Sequence, residues 1–224
     1  MKWIPFEYSR KEAYPLAVKH YLRMCGEEAE SLKGMEEAAV IHERLQPFAG
    51  LRGCIAMEEA PFLMGDRIEI NDVPIACRYF ETLSSSDLAA CAAYVLSAGE
   101  DVCVEERTSD MLFRDLWRTA YIEAGRELIK AAVCNESPKE WFVSESFGPG
   151  NLGMEMNQLE YFLRIFEDVD TGVLLSEYGT LFPPKSCAEM FLFLKNSDVL
   201  PVLSCMGCLG TSEGCRFCRR KQSL

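Results

Sequence analysis

Histidine is nearly missing from this chain: among 224 residues there are two, His20 and His42, each inside a stretch with helical periodicity. With no second imidazole near either one in sequence, a Ser–His–Asp triad or a histidine-based zinc site has little to build on. Basic charge is also scarce. Lys and Arg total 23 against 35 Asp and Glu, a formal charge of −12. Non-specific nucleic-acid binding needs a basic field to displace counterions, so no nucleic-acid partner is expected. No window of about 18 uncharged apolar residues occurs, so no membrane span is expected. The opening MKWIPFEYSRKEAYPL has no long apolar core and is charged by Glu7, so no export signal is expected. No internal repeat, low-complexity tract or composition shift marks a linker.

Cysteine, by contrast, is plentiful: there are eleven. Seven are scattered in apolar or mixed surroundings (Cys25, Cys54, Cys77, Cys91, Cys103, Cys134 and Cys187), which fits a reducing, cytoplasmic location better than a disulfide scaffold. The other four form Cys205-Met-Gly-Cys208 and Cys215-Arg-Phe-Cys218, separated by six residues with Gly210 and Gly214 among them. Each CxxC turn brings two thiolates close together, and the glycines allow the second pair to fold onto the first. Four thiolates suit tetrahedral zinc or an iron–sulfur cluster. A redox dithiol or an inert tail are the alternative readings. The chain therefore divides into an α+β domain over 1–200 and a cysteine-rich metal-binding tail over 201–224.

Within the domain, Ser9-Arg10-Lys11-Glu12 matches a capping box and opens a helix, although Pro15 argues for a start as late as Tyr14 or Pro15. A second helix is predicted over 27–46, with Leu32, Met35, Ala39 and His42 on one face. Residues 51–83 read as short strands separated by Gly65-Asp66 and Asn71-Asp72 turns. Ser86-Asp87 is read as opening a short helix, and 93–99 as a buried strand. The longest helix is placed at 110–134, capped by Thr108 or Ser109, with Phe113, Leu116, Trp117, Ala120, Tyr121, Ala124, Leu128 and Ala131 inward. A strand at 141–147, a helix at 154–168 and strands at 172–177 and 186–194 complete the pattern. Non-alternating order of this kind favours α+β with a largely antiparallel sheet over a doubly wound fold.

Two loops are candidates for function. Phe147-Gly148-Pro149-Gly150-Asn151-Leu152-Gly153 precedes a predicted helix, so its glycines and the helix N-terminus suit an anion, or else it is a plain strand-to-helix turn. Ser176-Glu177 and Pro183-Pro184-Lys185-Ser186 follow an apolar strand and form either a polar pocket wall or solvated loops.

The segment VLLSEYGTLFPPKSCAEMFLFL resembles the C-terminal half of the activation domain of cobalamin-dependent methionine synthase. There an apolar strand ends in Leu-Thr-Glu-Ser, and a proline and a serine then lead into the next strand. Leu175-Ser176-Glu177-Tyr178 and Pro183-Pro184-Lys185-Ser186 match this with compatible spacing, and FGPGN resembles the family's Pro-Gly-Tyr loop, which helps to bind S-adenosylmethionine and faces the cobalamin. The resemblance covers roughly 140–200 by motif. It implies an activation-domain fold, an accessory role in corrinoid methyl transfer without chemistry of its own, and a cobalamin-binding partner protein. It implies ligand or partner contacts at Ser146, Gly148, Pro149, Gly150, Asn151, Glu177, Lys185 and Ser186. Two positions depart: Asn151 stands at the family's tyrosine and Ser146 at its arginine, the natural anchor for a ligand carboxylate. S-adenosylmethionine is therefore expected to bind weakly or not at all. A metal or electron-transfer module on the same fold, or a zinc-stabilised binding protein without catalysis, are the rival functions.

Overall fold

A computed structural model describes residues 1–26, 32–45, 50–100 and 107–201. Strand β1 (Lys2–Tyr8) leads into helix α1 (Arg10–Met24) and helix α2 (Leu32–Leu45). The strands β2 (Leu51–Glu59), β3 (Leu63–Met64), β4 (Arg67–Ile70), β5 (Val73–Ala76) and β6 (Leu88–Ser97) follow, and then the long helix α3 (Thr108–Glu136). Strand β7 (Phe142–Val143), helix α4 (Gln158–Ile165), strands β8 (Leu174–Leu175) and β9 (Leu181–Phe182), and strand β10 (Ser186–Leu194) end the domain. The main sheet is antiparallel throughout, in the order β1-β2-β6-β10-β7. The α+β architecture with a largely antiparallel sheet is the one predicted.

Every residue of β6, the central strand, is buried. Its Ala90, Ala92, Tyr94 and Leu96 face the core made with α1 and α3, while Cys91, Ala93 and Val95 face a second core made with β4, β5 and α4. The two-residue period of a strand divides one apolar run between two cores, which is why the run shows no polar alternation.

The capping box at Ser9 forms in both directions, so α1 starts at Arg10 and carries Pro15 within it. The tight turns at Gly65-Asp66 and Asn71-Asp72 join β3, β4 and β5, with Gly65, Asn71 and Asp72 all at positive φ. Several boundaries differ from expectation. Lys2–Tyr8 is an edge strand paired with β2, and Pro5 is tolerated there because an edge strand has one unpaired side. Residues 84–87 make a turn into β6 rather than opening a helix, and the short helical turn lies earlier, at Arg78–Thr82. Helix α3 extends to 108–136, and Arg107 caps it without a side-chain bond, so neither Thr108 nor Ser109 serves. Its Ala131 faces solvent, and Ile129 and Val133 are buried instead. On α2 the inward face is Gly34, Ala38, His42 and Leu45, while Leu32 and Ala39 point outward. The strands expected over 141–147 and 172–177 shrink to two residues each, and α4 begins at Gln158 rather than 154.

Six of the scattered cysteines are free thiols, and Cys103 lies outside the described residues. No helix among the described residues is long and apolar enough to cross a membrane.

His42 is a core residue, 4% exposed, packed edge-on to Tyr14 and Trp117. Its Nδ1 lies 2.9 Å from a guanidinium nitrogen of Arg10 and its Nε2 2.6 Å from the Tyr121 hydroxyl. Arginine only donates, so Nδ1 accepts and the single proton sits on Nε2. Burial, with Arg10 second, lowers the imidazole pKa to about 4. The unfolded chain, with an ordinary histidine pKa near 6.5, binds a proton that the fold refuses. Stability from this group is complete above about pH 6.5 and lost as pH falls toward 4, on the order of 3 kcal/mol in full. Chemical denaturation between pH 7 and pH 4.5 should give a shallower slope for His42→Asn than for the wild type. Equal slopes would refute this assignment.

Candidate functional site

Phe147 ends the irregular segment after β7. It is fully buried, bridges to Met190 of β10, and meets Tyr79 and Phe80 edge-on. From this anchor the chain turns outward. A Cβ at Gly148 would lie 2.7 Å from the Ala188 carbonyl, so only glycine lets the loop pass this close to β10. The loop is closed by its own bonds: Asn151 N–H to the Gly148 carbonyl (2.9 Å), Gly150 N–H to Met154 (2.8 Å) and Met154 N–H to Asn151 (2.8 Å), with Gly150 at φ +92°.

The second segment is the hairpin β8–β9. Ser176 Oγ accepts from the backbone N–H groups of Tyr178 (3.3 Å) and Thr180 (3.2 Å), which shapes the turn between the strands. Pro183 and Pro184 then lead into β10.

Two cavities adjoin at this side of the domain. The first, about 600 Å³, is mainly apolar; Pro149, Met156, Leu159, Phe182, Pro184 and Ala188 line it, with Ser176 and Ser186 at its polar margin. The second, about 500 Å³, is strongly charged and lies between α1, α3 and β10; His20, Glu123, Arg126, Glu127, Lys130, Glu145, Ser146 and Asn151 line it. Glu189 lines both.

Glu189 is the centre of a partly buried polar network. Its carboxylate accepts from Nε (3.0 Å) and Nη2 of Arg126, from the Tyr94 hydroxyl (2.6 Å) and from the Ser146 hydroxyl. Arg126 also donates through Nη1 to Glu123. The phenol pKa of Tyr94 is pushed well up, first by burial and then by the nearby Cys187 and Glu189, so the hydroxyl keeps its proton and donates. The Cys187 thiol is likewise pushed up by burial and by Glu189, and stays neutral.

Of the residues singled out from sequence, Ser146 and Asn151 line the charged cavity, and Pro149 and Ser186 the apolar one. Gly148 and Gly150 shape the backbone between them. Glu177 is exposed on the hairpin turn and lines neither cavity. Lys185 turns toward α3, 2.8 Å from Asp115 and 3.0 Å from the Thr119 hydroxyl, so its charge is already paired and does not point into a cavity. Helix α4 offers no anion seat behind the loop: its first residue, Gln158, is buried and accepts from the Ala76 N–H of β5 through its side chain. Arg126, Glu189 and Tyr94 were not singled out. The one signal for them was Glu189 itself, the only charge in SCAEMFLFL. Cys205, Cys208, Cys215 and Cys218 lie outside the described residues. Among the described residues no group of three or more His, Cys, Asp or Glu side chains is placed to hold a metal.

No protein-family model matches the chain, and no curated protein matches it. Among solved structures it is similar to the crystal structure of the MetH reactivation domain bound to AdoHcy, with a TM-score of 0.61 and 12% identity over 88% of this chain and 80% of that one. At that identity the likeness shows the fold: this chain is built as the MetH reactivation domain is, with mixed helices on an antiparallel sheet.

Proposed function

We propose that this protein is an accessory component of cobalamin-dependent methyl transfer, docking onto a corrinoid-carrying partner through the face formed by residues 147–153 and 174–186. The fold supports the general role. The observation that carries the reading is the rim of the apolar cavity. Met156 and Phe182, 58% and 49% exposed, line it, and Leu174 and Tyr178 of the adjoining hairpin are 68% and 84% exposed. Large apolar side chains gathered at one cavity mouth mark a surface that another molecule covers. The self-bonded loop and the Ser176 turn hold that surface in shape, which lowers the ordering cost of docking. S-adenosylmethionine is not the main ligand in this reading: Ser146 cannot grip a carboxylate as an arginine does, and losing such a contact costs roughly 2–5 kcal/mol.

Pull-down of cobalamin-binding proteins from the same cell tests the proposal. The wild type should retain a corrinoid protein, and Leu174→Glu with Tyr178→Glu should lose about tenfold or more of that recovery, because both side chains are exposed and the fold does not depend on them. Equal recovery from both proteins, or no corrinoid protein with either, would remove the docking reading.

A further inference from the structure

The wall shared by the two cavities is a carboxylate receptor that is already full. Four donors converge on one point: two N–H groups of Arg126 from α3, the fully buried Tyr94 hydroxyl from β6, and the Ser146 hydroxyl from the segment before the loop. Arg126 meets the carboxylate with its planar fork, the geometry in which guanidinium recognition is strongest and most specific. The occupant is the chain's own Glu189.

We propose that Glu189 sets the ligand specificity of the paired cavities, excluding molecules that carry a carboxylate and leaving the site to neutral or cationic ones. A ligand carboxylate entering the charged cavity meets basic side chains that are each already paired. Arg126 is held by Glu189 and Glu123, Lys130 lies 2.6 Å from Glu145, and His20 lies 2.8 Å from Glu127. The lining carries four glutamates against one arginine and one lysine, so its carboxylates outnumber its fixed positive charges and an added anion is disfavoured. A flat apolar body finds room on the other side of Glu189, among Pro149, Leu159 and Phe182, and nothing there requires charge. Glu189 acts by position and charge on whatever shares the wall with it, and makes no bond with the ligand.

The inference deepens the proposed function, resting on it for the choice of nucleoside probes. Two are titrated calorimetrically into the full chain: 5′-methylthioadenosine, and S-adenosylhomocysteine, which shares its nucleoside and thioether but adds an amino-acid end. The wild type should bind the first about tenfold or more tightly than the second. Glu189→Gln keeps the volume and one acceptor oxygen, removes the charge and releases one of the two Arg126 N–H groups that Glu189 holds, while Nη1 stays with Glu123. In that variant the preference should shrink by about tenfold or reverse. A purely structural glutamate would weaken both ligands alike and leave their ratio unchanged. Equal affinities in the wild type, an unchanged ratio in the variant, or no binding of either nucleoside to either protein overturns the proposal. Recovery of a corrinoid protein by the wild type is read separately and bears only on docking. If Glu189→Gln fails to fold, Glu189→Ala in sodium acetate supplies the second measurement. Acetate should raise its melting temperature by about 3 °C or more over sodium chloride of equal ionic strength, and no difference between the salts counts against a receptor at this position.

Discussion

Arg126→Met should destabilise the fold by about 3 kcal/mol, one of the largest losses available to a single substitution outside the apolar core. The cost comes less from the lost attraction than from what stays behind. Glu189 is 13% exposed on its side chain, and without the guanidinium its charge would depend on two hydroxyls. A charge left without its partner in such a place is strongly unfavourable. Methionine fits the stem of the arginine, so packing changes little. The double variant Arg126→Met with Glu189→Met should regain most of the stability, because an apolar pair of similar volume leaves no charge to desolvate. Urea denaturation of the wild type, both single variants and the double variant gives the coupling directly. If the double variant is as unstable as the sum of the singles, the pair contributes no specific coupling and the network account of this wall fails.

The second large effect is at Trp117, the largest fully buried side chain. It stacks on Tyr21 at 4.2 Å, lies parallel to Tyr14 at 5.9 Å and packs edge-on against His42. These rings tie α1 and α2 to α3, so Trp117→Ala should cost about 3–5 kcal/mol. The indole Nε1 has no hydrogen-bond partner among the described residues although it is buried. An unsatisfied buried donor costs roughly 1–3 kcal/mol. Trp117→Phe, which removes that donor and keeps much of the aromatic packing, should therefore lie within about 1.5 kcal/mol of the wild type. Thermal and urea unfolding of the two variants separate these predictions. A phenylalanine variant as unstable as the alanine one would mean that the indole nitrogen is satisfied after all, through water or a shifted neighbour.

Both sites show where sequence reasoning reaches and where it stops. Trp117, Ala120, Tyr121 and Ala124 are legible as an inward helix face because helix periodicity is local. Over 29 residues, however, α3 meets both α1 and the sheet, so the inward stripe moves and Ala131 comes out into solvent while Ile129 and Val133 turn in. His42 is legible as an inward residue of α2. Of the neighbours on its predicted face, Met35 packs against the same core, whereas Leu32 and Ala39 fall outside the arc that α1 and α3 cover.

By itself, the sequence determined what depends on residues near one another in the chain. The Ser9–Glu12 capping box, the Asn71-Asp72 turn, the nine residues of β10 and the mixed, non-alternating order of an α+β domain are of this kind. Each rests on bonds or periodicities that span a few residues. The tertiary structure alone decided the rest. Lys2–Tyr8 becomes a strand because β2, some fifty residues away, offers an open edge. Lys185 is withdrawn from the loop region because Asp115 of α3 reaches it first. Arg126 and Glu189 are 63 positions apart, and Tyr94 and Glu189 are 95 apart, yet they form one network. A buried charge must find its partner wherever the folded chain brings one, and no local pattern encodes which residue that will be.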